Sequence, residues 1–178
     1  MLRLAALFHD IGKPDTKTTD SKGVDHFYGH PAVSGKMAKS IMQRLKFDND
    51  TINRVCRLVE AHDWTINAKV KYIRRYMNKI GEDLFPDIFE LNFADTLGQS
   101  EYKKQEKLEL IDELKEAYEG VVRRGECVSL RTLAVTGNDL IKLGIKPGPE
   151  IGEILNRLLN AVIEDPSLNT KEALIKMI

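Results

Sequence analysis

An all-α fold is the class that this sequence predicts, on two observations. Apolar residues recur at spacings of three and four along most of the chain, as one face of a helix requires, and no run of alternating polarity indicates a sheet. Of the 178 residues, 42% are hydrophobic and 30% charged, the balance of a globular protein long enough to bury a core. No apolar stretch approaches the roughly 20 residues that cross a bilayer, so we expect a soluble protein without membrane contact.

The predicted elements are helices separated by polar turns. Residues 1–8 are apolar and helix-prone without a capping residue before them, and the polar stretch from Gly12 to Gly29 is long enough to be a functional loop. The next helix begins at about residue 31, with a predicted apolar face of Val33, Met37, Ile41 and Leu45. Further helices are predicted over 51–60, 67–80, 84–97 and 101–124, in short pieces over 130–143, and over 150–163.

A polar hinge at residues 123–126 predicts a domain boundary near residue 120, between a first domain of residues 1–120 and a tail of residues 121–178. Lys and Arg together number 27, as do Asp and Glu, so any nucleic-acid binding must come from a local basic patch rather than from net charge. Cys56 and Cys127 form no disulfide framework, and the N-terminus resembles no signal peptide, so we expect a reducing, cytoplasmic environment.

Histidines and aspartates near predicted helix ends are the candidates for chemistry. His9 and Asp10 are adjacent where the first helix ends, His30 begins the next helix, and His62 closes the helix after that. Asp95 is a lone acid inside an apolar segment, where a carboxylate is costly to bury unless it is paired or bound to a metal. From spacing alone, a His-Asp pair at a helix end is more often an ordinary hydrogen-bonded pair than a metal site, and an isolated aspartate also fits a helix cap.

Imidazole nitrogens and carboxylate oxygens together suit a divalent transition metal such as Mn, Fe, Co, Ni or Zn, with Mg as a further candidate. Such an ion lowers the pKa of bound water enough to supply hydroxide at neutral pH. Lys13, three residues after Asp10, would then meet a phosphate oxygen. We expect His26 to be structural or solvent-facing, and Asp63 to be a helix-end partner rather than a ligand.

The segment over residues 4–14, LAALFHDIGKP, resembles the HD superfamily of metal-dependent phosphohydrolases, together with the later Gly-His, Ala-His-Asp and Ala-Asp sequences around residues 30, 62 and 95. The resemblance implies an all-helical domain in which His9, Asp10 and Asp95 ligate a metal, while His30 and His62 serve a second metal or the phosphate. The family has a further histidine on an upstream helix, and this chain has none before His9. Either the chain is a truncated fragment or the site lacks one ligand.

Residues 137–155, GNDLIKLGIKPGPEIGEIL, and 169–172, NTKE, resemble the C-terminal tail of bacterial CCA-adding tRNA nucleotidyltransferases. In that family a nucleotidyltransferase head precedes an RNA-binding region, and some members carry an HD domain credited with phosphodiesterase and phosphatase activities. The Gly-Ser turn and paired catalytic aspartates of the head have no counterpart in this sequence. The resemblance therefore implies that this chain alone does not add nucleotides.

The predicted tail offers contacts for RNA. A Gly-Pro turn leads into a helix N-terminus whose free backbone amides suit a phosphate, although acidic residues in the same helix oppose that role. The basic residues nearby are Lys142, Lys146 and Arg157. The alternative is an ordinary helix-turn-helix packing unit. Trp64 and Tyr72 offer aromatic rings that suit either base stacking or packing.

Three functions follow from these patterns. The first is metal-dependent hydrolysis of a phosphate ester or nucleotide, with His9, Asp10 and Asp95 holding the ion and tRNA bound through the tail. The second is a catalytically incomplete tRNA-binding body and tail of a CCA-adding enzyme. The third is an HD nucleotidase that acts on free mononucleotides, a role for which the RNA-binding-like tail is not needed.

Overall fold

A computed structural model of the chain describes residues 1–63 and 68–178, so Trp64 and its proposed stacking role lie outside the described residues. The described residues are mostly helical, which confirms the predicted all-α class. The chain divides into two compact units, formed by Met1–Ile66 with Ile80–Glu113 and by Asn67–Lys79 with Leu114–Ile178. No helix that the structure describes is long and apolar enough to span a membrane.

The helices and strands follow the predicted order with small additions. In the first unit they are α1 (Leu2–Phe8), α2 (Lys13–Thr16), β1 (Thr18–Thr19), β2 (Asp25–His26), α3 (His30–Arg44), α4 (Asn49–Ala61) and α6 (Phe85–Gly98). Most of α5 (Val70–Ile80) belongs to the second unit with α8 (Gly137–Lys142), α9 (Pro149–Glu164) and α10 (Lys171–Ile175), and α7 (Lys104–Arg123) contributes residues to both. The predicted polar loop therefore contains α2 and an antiparallel hairpin in which Thr18 pairs with His26.

The core of the first unit is built by α1, α3, α4 and α6. Its buried side chains are Ala5, Phe8, Ala38, Met42, Ile52, Val55, Leu58, Val59, Leu84, Ile88 and Leu91. The Asp48 side chain caps α4 by accepting the Thr51 backbone N–H at 2.8 Å, as an N-cap residue does. The residues Ile52, Val55, Leu58 and Val59 of this helix are buried, and Cys56 is half-buried.

The buried face of α3 differs from the predicted one. Val33, Met37 and Ile41 are only half-buried and Leu45 is exposed, whereas Ser34, Gly35, Ala38 and Met42 are buried. A Cβ atom on Gly35 would lie 2.6 Å from Cγ of Glu60, a contact that an L side chain could not make. Because α3 and α4 approach closely, small residues form most of the buried face of α3 and Met42 is its one large apolar member, while Val33, Met37 and Ile41 lie beside it.

The second unit has its own core, together with a buried ionic group. Its apolar members are Cys127, Leu133, Val135, Leu140, Leu158, Leu159, Val162, Ile163 and Leu174. The helix α8 begins with a capping box, in which the Thr136 side chain accepts the Asp139 N–H while the Asp139 carboxylate accepts the Thr136 N–H. These caps satisfy backbone groups that a helix end leaves without partners.

Arg74 on α5 is 7% exposed, and each of its three guanidinium nitrogens donates a hydrogen bond. Nε donates to the Ile163 carbonyl oxygen at 2.6 Å, one terminal nitrogen donates to the Glu126 carboxylate at 2.8 Å, and the other donates to the Glu164 carbonyl oxygen at 3.1 Å. Burial opposes ionisation of Glu126, but hydrogen bonds from Arg124 and Arg74 lower its pKa below the usual value. The buried charge is therefore compensated within the second unit.

Candidate metal centre

The end of α1 places His9 and Asp10 against α3. The helix ends at Phe8, and Gly12 then donates its backbone N–H to the Ser34 hydroxyl at 2.9 Å. A Cβ atom at position 12 would lie 2.7 Å from the Ser34 backbone nitrogen, so only glycine permits this approach. The sequence His-Asp-Ile-Gly therefore brings its two polar side chains to the start of α3.

Helix ends position the remaining candidates as well. His30 is the first residue of α3 and follows Gly29, which has a left-handed conformation with φ of 78°. His62 immediately follows α4, and Asp95 lies within α6. These elements bring together all five residues that the sequence predicts as metal ligands, His9, Asp10, His30, His62 and Asp95.

Each of the three clustered histidines is held in the same way. Its Nδ1 bonds a backbone carbonyl oxygen three residues earlier, at 2.8 Å for His9 with Ala6, 2.8 Å for His30 with Phe27 and 2.6 Å for His62 with Val59. A carbonyl oxygen only accepts, so Nδ1 carries the ring proton and, in the neutral ring, Nε2 presents a lone pair. Metal-binding histidines are commonly oriented through their second nitrogen in this way.

The three Nε2 atoms face the Asp10 carboxylate and one another. His30 Nε2 lies 3.1 Å from His62 Nε2, and these atoms lie 3.3 Å and 3.6 Å from Asp10 Oδ1. His9 Nε2 lies 3.3 Å from Asp10 Oδ2 and 3.4 Å from Asp95 Oδ1. Because neutral rings of this tautomer offer only lone pairs here, acceptors converge without donors between them. A cation or added protons would relieve that repulsion.

Two atoms of the cluster, His9 Nε2 and Asp10 Oδ1, are buried and have no hydrogen-bond partner among the residues that the structure describes. Leaving such a group unpaired costs about 1–3 kcal/mol, more if it is charged. One ligand atom from each of His9, Asp10 and His62 lies within 4.8 Å of the others, close enough for a single ion to contact all three. The donor set therefore fits a divalent metal that accepts nitrogen and oxygen ligands.

The electrostatics of the cluster follow from these contacts. Interaction with the Asp95 carboxylate raises the pKa of His9 above its usual value despite partial burial, and the same interaction lowers the pKa of Asp95. Burial lowers the pKa of His62, which favours its neutral, metal-binding form. In this structure the His9 and Asp95 side chains therefore stabilise each other's charged forms.

Lys13 lies at the edge of the cluster, with its ammonium 2.6 Å from Asp10 Oδ2 and 5.8 Å from the centre of the Phe27 ring. Asp10, which the sequence predicts as a metal ligand, is therefore paired with Lys13, which the sequence predicts as a phosphate contact. The exposed Asp63 carboxylate approaches His30 Nδ1 at 3.9 Å, at the periphery.

His26 lies outside the cluster. Its Nε2 is 3.1 Å from the Asp20 carboxylate, and its ring stacks on Tyr28 with 5.2 Å between ring centres and 7° between ring planes. The hairpin that carries His26 thus separates it from the three histidines whose Nε2 atoms converge. This placement makes His26 a suitable control position for experiments on metal binding.

Comparison with known proteins assigns the chain to a family. The model of the family described as tRNA nucleotidyltransferase domain 2 matches residues 27–178. The chain belongs to this family. It is also 34% identical over 171 residues to a CC-adding tRNA nucleotidyltransferase of Thermus thermophilus, covering 96% of the chain. It is 30% identical over 174 residues, 90% of the chain, to an A-adding tRNA nucleotidyltransferase of Deinococcus radiodurans.

The chain spans 37% of the length of each of these two relatives. A shorter match joins it to a CCA-adding enzyme of Pediococcus pentosaceus, with 47% identity over 47 residues that make up 26% of the chain and 12% of the relative. No solved structure matches the chain. The predicted similarity to tRNA nucleotidyltransferases is thus confirmed, and the HD resemblance remains a prediction.

In this member of the tRNA nucleotidyltransferase domain 2 family, the predicted RNA contacts in the tail are exposed but dispersed. Lys142 ends α8, Lys146 lies in the turn before α9, and Arg157 follows two turns into α9. The Arg157 guanidinium donates to the Met177 carbonyl oxygen at 3.3 Å. Their role in RNA binding remains a prediction.

Proposed function

We propose that the chain is a tRNA-binding body and tail of a tRNA nucleotidyltransferase. The observation that carries this proposal is the family match over residues 27–178, supported by relatives that are named for adding C or A to tRNA. The module would hold the tRNA, while nucleotide addition would require catalytic groups from elsewhere. This is the second of the three functions that the sequence predicts.

Titration of a fluorescently labelled tRNA transcript that lacks its 3′ CCA tests the proposal. We expect binding at about 50 mM salt that weakens steeply towards about 200 mM, because contacts to phosphates release counterions. Bovine serum albumin serves as a control for non-specific adsorption. A chain that shows no binding to this transcript even at low salt would contradict the proposal.

A second candidate function, metal-dependent hydrolysis of a phosphate ester, is favoured by the histidine cluster. We infer that His9, Asp10 and Asp95 would hold a divalent ion, with His30 and His62 as further ligands or phosphate contacts. An ion bound there would supply hydroxide from water at neutral pH. The unpaired, buried His9 Nε2 and Asp10 Oδ1 atoms are the observation that supports this role.

The side chains around the cluster suit a phosphate. Lys13 and Asp10 form an ion pair, and both side chains are partly exposed. An ion that binds Asp10 would therefore release the Lys13 ammonium, which could then neutralise a phosphate oxygen. The backbone bonds at Nδ1 would keep the imidazole rings aimed while substrate binds. The same geometry fits a diester or a mononucleotide, so the nucleotidase alternative belongs to this candidate function.

Metal content and hydrolysis of bis(p-nitrophenyl) phosphate test the second function together. We expect at least about one Mn or Ni ion per chain and slow hydrolysis, both lost in the His9→Ala, Asp10→Ala double variant. The matched control is His26→Ala, which removes a histidine outside the cluster. If the double variant retains both the metal and the hydrolysis of the parent chain, the cluster does not hold the catalytic ion.

A further inference from the structure

We infer that one exposed face of α5 is an RNA-binding surface that contacts phosphates through Lys71 and Lys79. This inference rests on the proposed tRNA-binding function and names the surface that performs it. We call this surface the α5 basic face, and it consists of Lys71, Tyr72, Arg75, Tyr76 and Lys79. It is separate from the tail residues that the sequence predicts as RNA contacts.

The charge of this segment differs from that of the rest of the chain. Residues 68–80 contain Lys69, Lys71, Arg74, Arg75 and Lys79 and no acidic residue, within a protein whose net charge is zero. In residues 137–157, by contrast, Lys142, Lys146 and Arg157 are matched by Asp139, Glu150 and Glu153. Because Arg74 and Arg75 pair with Glu126 and Glu164, the excess positive charge of α5 comes from its lysines, and these would attract an anionic strand.

The helix aligns these cations. Lys71, Arg75 and Lys79 are spaced by four residues, so they form one exposed row with about 6 Å between neighbours along the helix axis. That spacing is close to the separation of successive phosphates along a nucleic-acid strand. Ile73 and Met77 are buried on the opposite side and anchor the helix. The row is therefore carried by a rigid element rather than by a loop.

Aromatic rings lie beside the row. The Lys71 ammonium is 5.1 Å and the Arg75 guanidinium 5.8 Å from the centre of the Tyr72 ring, and the Lys79 ammonium is 5.6 Å from that of Tyr76. Such contacts restrain long side chains that would otherwise lose entropy on binding. Half-buried tyrosines next to cations are also the combination on which single-stranded bases stack.

The three cations of the row differ in their ion pairing. Arg75 pairs with Glu164 at 2.6 Å, but among the described residues neither Lys71 nor Lys79 forms an ion pair. Arg75 and Asn78 also line a cleft of about 410 Å³ together with Asn160, Ile163 and Glu164. Phosphate charge is thus best met by the two lysines. The Asn78 amide donates to the Val128 carbonyl oxygen at 2.9 Å, so the exposed Asn160 amide is the better contact for bases or ribose hydroxyls.

RNA suits this face better than an anionic membrane does. A helix that lies on a membrane buries a row of large apolar side chains in the lipid. Of the large apolar residues of α5, Ile73 and Met77 are instead buried inside the protein, and Ile80 is half-buried. The exposed face offers charge, amides and tyrosine rings, which are the groups that contact nucleic acids.

The test compares two double variants of the full chain that remove equal charge from exposed lysines, Lys71→Gln with Lys79→Gln and Lys142→Gln with Lys146→Gln. The probe is the labelled tRNA transcript without CCA, titrated between about 50 and 200 mM salt. We expect the α5 variant to lose about tenfold or more in affinity at the lower salt concentration. We also expect its slope of log affinity against log salt to fall by about 1.5, since each phosphate contact contributes about 0.7–0.9. The tail variant should change both quantities by less than half as much.

Circular dichroism and thermal unfolding establish that both variants are folded. If the parent chain binds the transcript and the α5 variant keeps its affinity and slope, the inference is wrong while the proposed tRNA binding stands. Equal losses in both variants would also overturn it, because they would report net charge rather than a surface. A larger loss on phosphatidylglycerol vesicles than on tRNA would assign the face to lipid instead. Failure of the parent chain to bind the transcript contradicts the proposed function itself.

Discussion

The two units bury polar side chains in opposite ways. In the second unit, the Arg74 guanidinium is enclosed, and its three donor groups each meet an oxygen from Ile163, Glu126 or Glu164. In the first unit, His9 and Asp10 each bury an atom that has no hydrogen-bond partner among the described residues, and the neutral rings of His30 and His62 face each other with lone pairs. A fully paired buried charge holds a fold together, whereas unpaired acceptors that converge on one point mark a place for a ligand.

The two units differ because arginine and neutral histidine carry different numbers of N–H donors. A guanidinium brings five N–H groups in fixed directions, and backbone carbonyls at the end of α9 provide acceptors for it. Each clustered histidine, in its neutral form, donates its single ring proton to a nearby backbone carbonyl oxygen. The neutral rings therefore present only lone pairs at the centre of the cluster. Among the described residues, a protonated His9, which the Asp95 carboxylate stabilises, would add a donor to that centre.

The largest expected effect removes the paired group. We expect Arg74→Met to lower the free energy of unfolding by about 3–5 kcal/mol, because it leaves the Ile163 and Glu164 carbonyl oxygens without their side-chain donor and Glu126 with Arg124 as its remaining partner. Urea unfolding followed by circular dichroism measures the loss. The matched control is Arg75→Met on the adjacent position, whose exposed ion pair contributes about 0–1 kcal/mol. Equal losses at the two positions would remove the distinction between paired and exposed arginine.

The next largest effect is expected when a metal ion is added to the histidine cluster. We expect Mn or Ni at about 100 times its dissociation constant to stabilise the chain by about 2.7 kcal/mol, as for any ligand that binds only the folded state. The rise in unfolding midpoint should disappear in Asp95→Ala and persist in His26→Ala. If neither metal shifts the unfolding midpoint of the parent chain, the converging acceptors are not a binding site for these ions.

A smaller effect separates function from stability within the same cluster. We expect Asp10→Asn to stabilise the metal-free chain by about 1 kcal/mol while abolishing stabilisation by metal. The amide oxygen can still accept from Lys13, and the new N–H can donate to the His30 lone pair that Oδ1 now faces at 3.3 Å. Unfolding in the presence of EDTA measures the first quantity. A metal-free variant that is markedly less stable than its parent would show that the acceptors do not repel.

The smallest effect concerns acid. A hydrogen bond from Lys171, followed by bonds from Thr136, lowers the pKa of Asp139 from its ordinary value of 3.8. Because the folded-state pKa is depressed, the stabilisation is present above about pH 4 and is lost as the pH falls through the folded-state value. We expect the urea midpoint of the parent chain to fall more between pH 7 and pH 3 than that of Asp139→Asn. Parallel decreases would mean that this cap does not contribute.

The spacing of apolar residues and the capping residues predicted where most helices lie. They did not predict which face of a helix is buried where two helices pack closely. The apolar period found α3, but its buried face is displaced because Gly35 and Ala38 bring α3 close to α4. The assembly of His9 with His62 was predicted only through the resemblance to a family, because spacing alone does not specify which helix ends meet.

Other features were inaccessible to sequence reasoning for different reasons. The backbone acceptors of Arg74 lie 89 and 90 residues away along the chain. Every residue has a backbone carbonyl oxygen, so a local sequence pattern does not show which one accepts from Arg74. The tautomers of the clustered histidines depend on the same kind of backbone contact. The cations of α5 were overlooked although a signal existed, since a basic run without an acidic residue could have been found by counting charges in short windows.

The bonds from Arg74 to Ile163 and Glu164 have a consequence for chain connectivity. The second unit is discontinuous, because residues 67–79 and 114–178 build it together while residues 80–113 return to the first unit. A polypeptide that starts at residue 121 would contain α8, α9 and α10 but would leave the Ile163 and Glu164 carbonyl oxygens without Arg74, and Glu126 with Arg124 as its remaining partner. Such a fragment is expected to be unstable on its own, and supplying residues 67–79 as a separate peptide should restore its folding.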